Sequence, residues 1–354
     1  MGKLAVYKYI SFMMLVITIM IAVFTLFGLF GGSSNPGEGT ALALLVYALP
    51  LLMIFNFALL VLWLIRRRWY WAVIPAVTLL CCIPFLGTIY QLPLLSGEDN
   101  SKMGFKMATY NVAMFGRELN GAKADAILST MRQQQVEVLC LQEYMERSGD
   151  TINSSRYKGY FTDMVCGRED MAIFSRHPIL DSKTIEFGEM TNNSAMWADI
   201  DFNGRVIRFF NVHLQTTGIN RTLHQQAKQE AQGIPAERGS LMRALFGNFT
   251  HGMSERSRQA ELVANEIKQS KFPVVVCGDF NDVPYSYVYN TMKGDLIDGF
   301  RECGRGFMYT MEGKYKKVRI DYIFHSEELE GAKYYVEKEI HYSDHLPVFM
   351  KIAL

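Results

Sequence analysis

The chain has 354 residues, too many for one ordinary domain, and its 49% hydrophobic and 20% charged content fits neither a disordered chain nor a collagen-like fibre. Six cysteines are too few for a disulfide-built scaffold. Charge is divided unevenly: residues 1–100 carry five basic and three acidic side chains, while the remaining 254 carry a net −1, which argues against a broad basic surface for nucleic acid.

Three apolar stretches near the N-terminus, at about 9–30, 41–65 and 69–92, are each long enough to cross a bilayer as helix. The first is too long for the apolar core of a cleaved signal peptide and reads as a retained helix. The third holds Pro75 and Pro84 and is the least regular. Lys3 and Lys8 precede the first stretch, and Arg66, Arg67 and Arg68 separate the second from the third; the 31–40 loop has no Lys or Arg. That asymmetry predicts a cytoplasmic N-terminus and an extracytoplasmic location for everything after about residue 95. No stretch has an ionisable residue at its centre, so 1–95 reads as an anchor and not a conduction path.

From residue 103 the pattern changes to short apolar strands and amphipathic helices. Strands are predicted at 106–112, 136–141, 170–175, 196–202, 205–213, 273–277, 319–325 and 347–352. Asn203-Gly204 forms the hairpin turn between the middle pair. Ala124, Ile127, Leu128 and Met131 place one apolar face on a helix at 122–133, and 256–269 is also helical. Residues 215–252 interrupt this rhythm as a polar insertion with an apolar cluster at Leu241, Met242, Leu245 and Phe246. Cys140 and Cys277 fall in apolar strands, whereas Cys166 and Cys303 fall in polar stretches and are candidates for pairing.

Polar residues stand where these strands end. Glu143 follows the run 138–142. Asn211 and His213 close another strand, Asp279 and Asn281 a third, and residues two apart share one strand face. Asp321 lies inside an apolar strand, and Asp344-His345 immediately precedes the last one. A lone strand-end Asp is usually a cap. Five such sites in one domain instead supply hard oxygen ligands for a divalent ion, imidazoles for proton transfer and carboxamides to position phosphate oxygens.

At these residues the chain resembles the endonuclease/exonuclease/phosphatase superfamily. The matching motifs are Thr109-Tyr110-Asn111-Val112, Leu141-Gln142-Glu143, Ile173-Phe174-Ser175-Arg176-His177-Pro178-Ile179, Asn211-Val212-His213-Leu214, Gly278-Asp279-Phe280-Asn281, Ile320-Asp321-Tyr322-Ile323 and Ser343-Asp344-His345-Leu346-Pro347, in the family's order over about 103–354. The resemblance implies a four-layer α/β/β/α sandwich, here preceded by three transmembrane helices. It implies Glu143 as the main Mg²⁺ ligand, with Mn²⁺ as a substitute, and Asn111 and Asp344 near the same metal or phosphate. It implies His345 as general base oriented by Asp321. Asp279 and Asn281 would position the nucleophile and phosphoryl oxygens, Asn211 would contact phosphate, and His213 would be the second imidazole. Some relatives carry an acidic residue where this chain has Ala113, which removes a second metal ligand there. His213 also stands where apurinic-site enzymes carry Tyr.

The expectation is a membrane-anchored, Mg²⁺-dependent phosphoesterase with partners in the lipid bilayer and a phosphoester substrate, either a phospholipid head group or nucleic acid, and no obligate protein partner. The competing readings are an extracytoplasmic nuclease and a non-catalytic interaction module on the same fold.

Overall fold

The computed structural model describes residues 3–92, 103–117, 122–144, 156–167, 171–188, 191, 193–218, 222–223, 226–228, 232, 238–313 and 316–354. Helices α1 (Lys3–Gly31) and α2 (Thr40–Ile65) are each long and apolar enough to cross a membrane. The third stretch, expected as one span over about 69–92, is bent in the middle and passes either as one broken span or as a re-entrant loop. It is a pair, α3 (Trp69–Cys81) and α4 (Ile83–Ile89), bent by 46°. Pro84 has no amide hydrogen to donate, and its ring would collide with the carbonyl of Leu80, so the helix stops and restarts there. Tyr90–Gln91 then leave the helix altogether as strand β1. Polar side chains pin the module together: Asn56 Nδ2 donates to Thr25 Oγ1 at 2.8 Å, Trp63 Nε1 to Thr18 Oγ1 at 3.0 Å, and Arg66 Nη2 to Ser11 Oγ at 3.0 Å.

The second module begins with β2 (Gly104–Asn111), followed by α5 (Ala122–Gln133), β3 (Val138–Gln142), β4 (Asp163–Cys166), β5 (Met171–Ser175), β6 (Ile179–Glu186), β7 (Ser194–Phe202) and β8 (Arg205–His213). A long helix, α6 (Arg238–Lys268), leads to β9 (Val274–Asp279) and α7 (Tyr287–Lys293). After these come β10 (Ile297–Asp298), α8 (Gly299–Cys303), β11 (Gly306–Phe307), β12 (Met311–Gly313), β13 (Lys316–Val318), β14 (Asp321–His325), β15 (Glu330–Val336) and β16 (Val348–Ala353). Asp170, at the start of one expected strand, lies outside the described residues, as does most of 219–237.

Ten strands and two more make two six-stranded sheets, ordered β10-β14-β9-β8-β7-β6 and β15-β16-β2-β3-β5-β4. β2–β3 and β8–β9 pair parallel, and the other pairs in both sheets are antiparallel. The sheets pack face to face through Met107, Cys140, Ala198, Cys277, Ile323 and Met350, all without solvent exposure. On one outer face α5 buries Ile127 and Met131 against Leu139 and Phe349; on the other α6 and α7 bury Val263 and Met292 against Val276 and Phe324. Strands covered on both faces read as continuous apolar runs, as in Val274-Val275-Val276-Cys277. The result is the α/β/β/α sandwich. Asn203 and Gly204 both adopt positive φ, 57° and 96°, as a two-residue hairpin requires. The two cysteines proposed as partners differ in setting: Cys303 is buried between the sheets, Cys166 is exposed, and no disulfide joins them.

The two modules are fastened to each other. β1 pairs antiparallel with β11, Tyr90 opposite Phe307. Arg319 Nη2 donates to Thr88 O at 2.8 Å, Asn290 Nδ2 to Gly32 O at 2.8 Å, and Asn35 Nδ2 to Glu261 Oε1 at 2.8 Å. Val46, Leu49 and Phe85 pack against Val283 and Tyr285.

Candidate active site

Strand direction explains why distant motifs converge. β2, β3, β8 and β9 end at the edge where the antiparallel strands β14 and β16 begin. In register, His213 and Asp321 both lie opposite Asp279, and Asn111 lies opposite Gln142. Gly278 has φ 129°, and a Cβ there would lie 2.0 Å from Val212 O, so glycine is required for β8 to approach at the point where β9 delivers Asp279. The next turn holds Asn281 at φ 51°, and Glu143 leaves β3 at φ 51°. A left-handed Glu is strained, and such strain concentrates at functional sites.

The site is a pocket of about 490 Å³ whose walls include Ala113, Glu143, Asp279, Asn281, Asp344 and His345. His345 Nδ1 faces Asp321 Oδ2 at 3.0 Å and Oδ1 at 3.2 Å, and its Nε2 lies 3.6 Å from Asp279 Oδ2. Thr310 Oγ1 accepts from the amides of Ile320 and Asp321 at 3.0 Å each, which fixes the start of β14. Asn111 Nδ2 donates to Glu143 Oε1 at 3.1 Å and to Asp279 Oδ2 at 3.0 Å. Asn281 donates through its amide to Asp279 Oδ1 at 2.8 Å and through Nδ2 to Leu214 O at 2.9 Å. His213 Nε2 is 3.8 Å from Glu143 Oε1 and 4.0 Å from Asp279 Oδ2.

Electrostatics follow from this packing. Burial alone would push the His345 imidazole down, but the carboxylates of Asp321 and Asp279 more than offset it and hold it at about 10. Burial raises the Asp279 carboxyl above the usual range, opposed by His345 and His213.

Of the expected residues, Asn111, Glu143, His213, Asp279, Asn281, Asp321, Asp344 and His345 come together here. Asn211 does not join them. Its Nδ2 donates to Leu141 O at 2.9 Å and Ala172 O at 3.0 Å, and its Oδ1 accepts from Gln142 Nε2 at 2.6 Å, so the buried carboxamide stitches the two sheets and does not line the pocket. The sequence reading missed Tyr47, Phe249, Arg256 and Asp282, which also line it. Asp282 follows Asn281 directly and was within reach of a motif. Tyr47 carries no sequence signal, because a Tyr in an apolar helix reads as facing lipid.

A divalent ion fits the donors present. Arg256 Nε pairs with Asp282 Oδ2 at 3.3 Å, which leaves Glu143, Asp279 and Asp344 as carboxylates facing the pocket. Hard, anionic oxygens suit Mg²⁺ or Mn²⁺. Asp279, Asp321 and His345 also offer ligand atoms within 4.8 Å of one another, but the Asp321–His345 hydrogen bond already occupies that set.

Residues 108–345 match the Endonuclease/Exonuclease/phosphatase family, and residues 11–89 match a domain of unknown function, DUF8431. No curated protein matches. Among solved structures, D. rerio TDP2 complexed with single strand DNA product has 17% identity and a TM-score of 0.51, covering 72% of this chain and 100% of that one. Truncated Caenorhabditis elegans TDP2 has 14% identity and a TM-score of 0.53, covering 71% and 98%. An endonuclease/exonuclease/phosphatase from Bacteroides vulgatus has 19% identity and a TM-score of 0.52, covering 72% and 100%. A family match over more than half of the chain, on a fold these structures share, carries the conclusion that this chain belongs to the endonuclease/exonuclease/phosphatase family.

Proposed function

We propose that this chain is a membrane-anchored, divalent-metal-dependent phosphoesterase whose catalytic domain lies outside the cytoplasm. The observation that carries the reading is the convergence of Asp279, Asp321 and His345 with Glu143, Asn111 and Asp344 at one end of the sandwich, from both of its sheets. Glu143 and Asp344, with Asn111 beside them, would hold Mg²⁺ or Mn²⁺. The ion, when bound, neutralises phosphoryl oxygens as negative charge gathers in the transition state.

The residues of the chain do the rest. Asp321 fixes the tautomer and orientation of His345; the imidazole, held protonated by Asp321 and Asp279 in the metal-free chain, would act as base once a bound cation offsets those carboxylate charges, its Nε2 then taking a proton from water. The water oxygen bonds to phosphorus and the phosphorus–oxygen bond to the leaving group breaks. His213 lies within reach of the same carboxylates and donates the proton that the leaving oxygen needs. Asp279 and Asn281 position the attacking water and the phosphoryl oxygens.

Orientation rests on the basic loops. The 32–35 turn and the end of α4 both touch the catalytic domain, so the end of the module without basic loops is the one that carries the enzyme. Nucleic acid is the second reading, favoured by the structural neighbour that holds a single strand DNA product. The deciding assay uses the full chain in detergent with Mg²⁺ against plasmid DNA, sphingomyelin and inositol phosphates in parallel. No turnover on any of them, with intact fold, leaves the non-catalytic module as the answer.

A further inference from the structure

The catalytic pocket is not built by the catalytic domain alone. Tyr47, on α2, forms part of its wall. Its hydroxyl donates to Asp282 Oδ1 at 2.5 Å, and its ring meets Phe249 of α6 edge-on, with centroids 5.1 Å apart. Asp282 is held in turn by the fully buried Arg256. A membrane helix is thus locked by a charged network into the site where a phosphoester would bind.

From Phe249 an apolar stripe runs back along α6. Met242, Phe246 and Phe249 follow i, i+4, i+7 and share one helical face. Met242 is 66% and Phe246 58% exposed, whereas Leu241 and Leu245 of the same cluster are half-buried. Side chains of this size displayed in a row mark a contact surface for something apolar. At 1.5 Å per residue, Tyr47 lies about 28 Å along α2 from Arg66, roughly the thickness of a hydrocarbon core. With Arg66 at one face of a bilayer, Tyr47 and the pocket stand at the other.

We propose that the active site is shared between the modules: Tyr47 and the Met242–Phe246–Phe249 stripe form a subsite for the apolar part of an amphiphilic phosphoester whose phosphoryl group lies at Glu143, Asp279 and His345. The inference rests on the phosphoesterase reading above and names its substrate class as a lipid presented from the bilayer. The anchor is then a substrate-binding element.

The full chain in detergent micelles with Mg²⁺ is tested on p-nitrophenyl methyl phosphate and p-nitrophenyl hexadecyl phosphate, which share a leaving group and differ in the alkyl chain. The wild type favours the hexadecyl ester by at least about tenfold in kcat/KM, the worth of roughly two buried methylenes. Tyr47→Ala and the double change Met242→Ser with Phe246→Ser each erase most of that preference. Tyr47→Phe, which keeps the ring, retains more of it and serves where Tyr47→Ala fails to fold. A wild-type ratio near one, or variants that keep the wild-type ratio, overturns the shared site. Faster cleavage of a single-stranded oligonucleotide than of the hexadecyl ester also overturns it, while leaving the phosphoesterase reading in place. Failure on every substrate removes that reading, and this inference with it.

Discussion

His345 Nε2 stands 3.6 Å from Asp279 Oδ2, and Asp279 is itself the cross-strand partner of Asp321, the residue that holds the other imidazole nitrogen. One pairing in one sheet therefore sets both carboxylates around a single histidine. A slip of that register would turn every one of these side chains to the other face.

Replacing His345 with Ala is expected to lower kcat by about 10²–10⁴, the usual contribution of a positioned general base. Asp321→Asn, which keeps the side chain's shape, is expected to lower kcat with little change in KM. Steady-state kinetics on one chromogenic phosphodiester, with circular dichroism to confirm folding, decides the matter; turnover within a factor of about three of wild type in the Ala variant rules out the assigned base.

The imidazole gives a pH signature in chelator-treated protein. Its folded-state value of about 10 lies above the ordinary 6.5. The stabilisation this represents is therefore full below pH 6.5 and is lost as pH rises toward 10. NMR titration of the His345 ring should show the raised midpoint, and Asp321→Asn should move it down. An unmoved midpoint would show that Asp321 is not the main partner.

Metal dependence is expected to be complete. Excess chelator should abolish turnover and Mg²⁺ or Mn²⁺ restore it. Glu143→Gln should raise the metal concentration needed for half-maximal rate by about tenfold or more. Calorimetric titration of metal into the variant at wild-type affinity would remove Glu143 from the ligand set.

Asp282→Ala leaves Arg256 fully buried without its counterion, and an uncompensated buried charge costs about 3–5 kcal/mol. Thermal unfolding of the full chain in detergent should show a large fall in Tm, with Asp282→Asn intermediate. A Tm equal to wild type would mean the Asp282–Arg256 pair contributes nothing to stability.

A reporter fused after Leu354 should read as extracytoplasmic, and one placed at Arg66–Arg68 as cytoplasmic. The opposite pattern would invert the orientation drawn from the basic loops.

Much of the fold was legible because local pattern and tertiary role agree. Ala122–Gln133 lies where its apolar spacing put it, and the Asn203-Gly204 hairpin joins the strands it was expected to join. The polar strand ends also converge as their motifs suggested, because backbone register carries side chains to a common edge. Edge strands such as β6 were missed: most of its residues are exposed and do not form an apolar run. α6 begins at Arg238, not at the predicted 256, and takes in the apolar cluster at 241–246 without a break. Asn211 shared its strand face with His213, but depth within the sandwich separates their roles, and sequence has no coordinate for depth. Tyr47 was out of reach for the same reason: its partners lie more than two hundred residues away.

β1 and the Arg319–Thr88 contact stitch the N-terminal helical module directly into the sandwich. A domain mounted in this way does not swing on a tether. On the proposed membrane-anchored reading, the site would work in two dimensions, at one fixed height, on whatever diffuses laterally to it. Its rate would then follow the mole fraction of substrate in the leaflet, and diluting vesicles of constant composition would leave turnover unchanged.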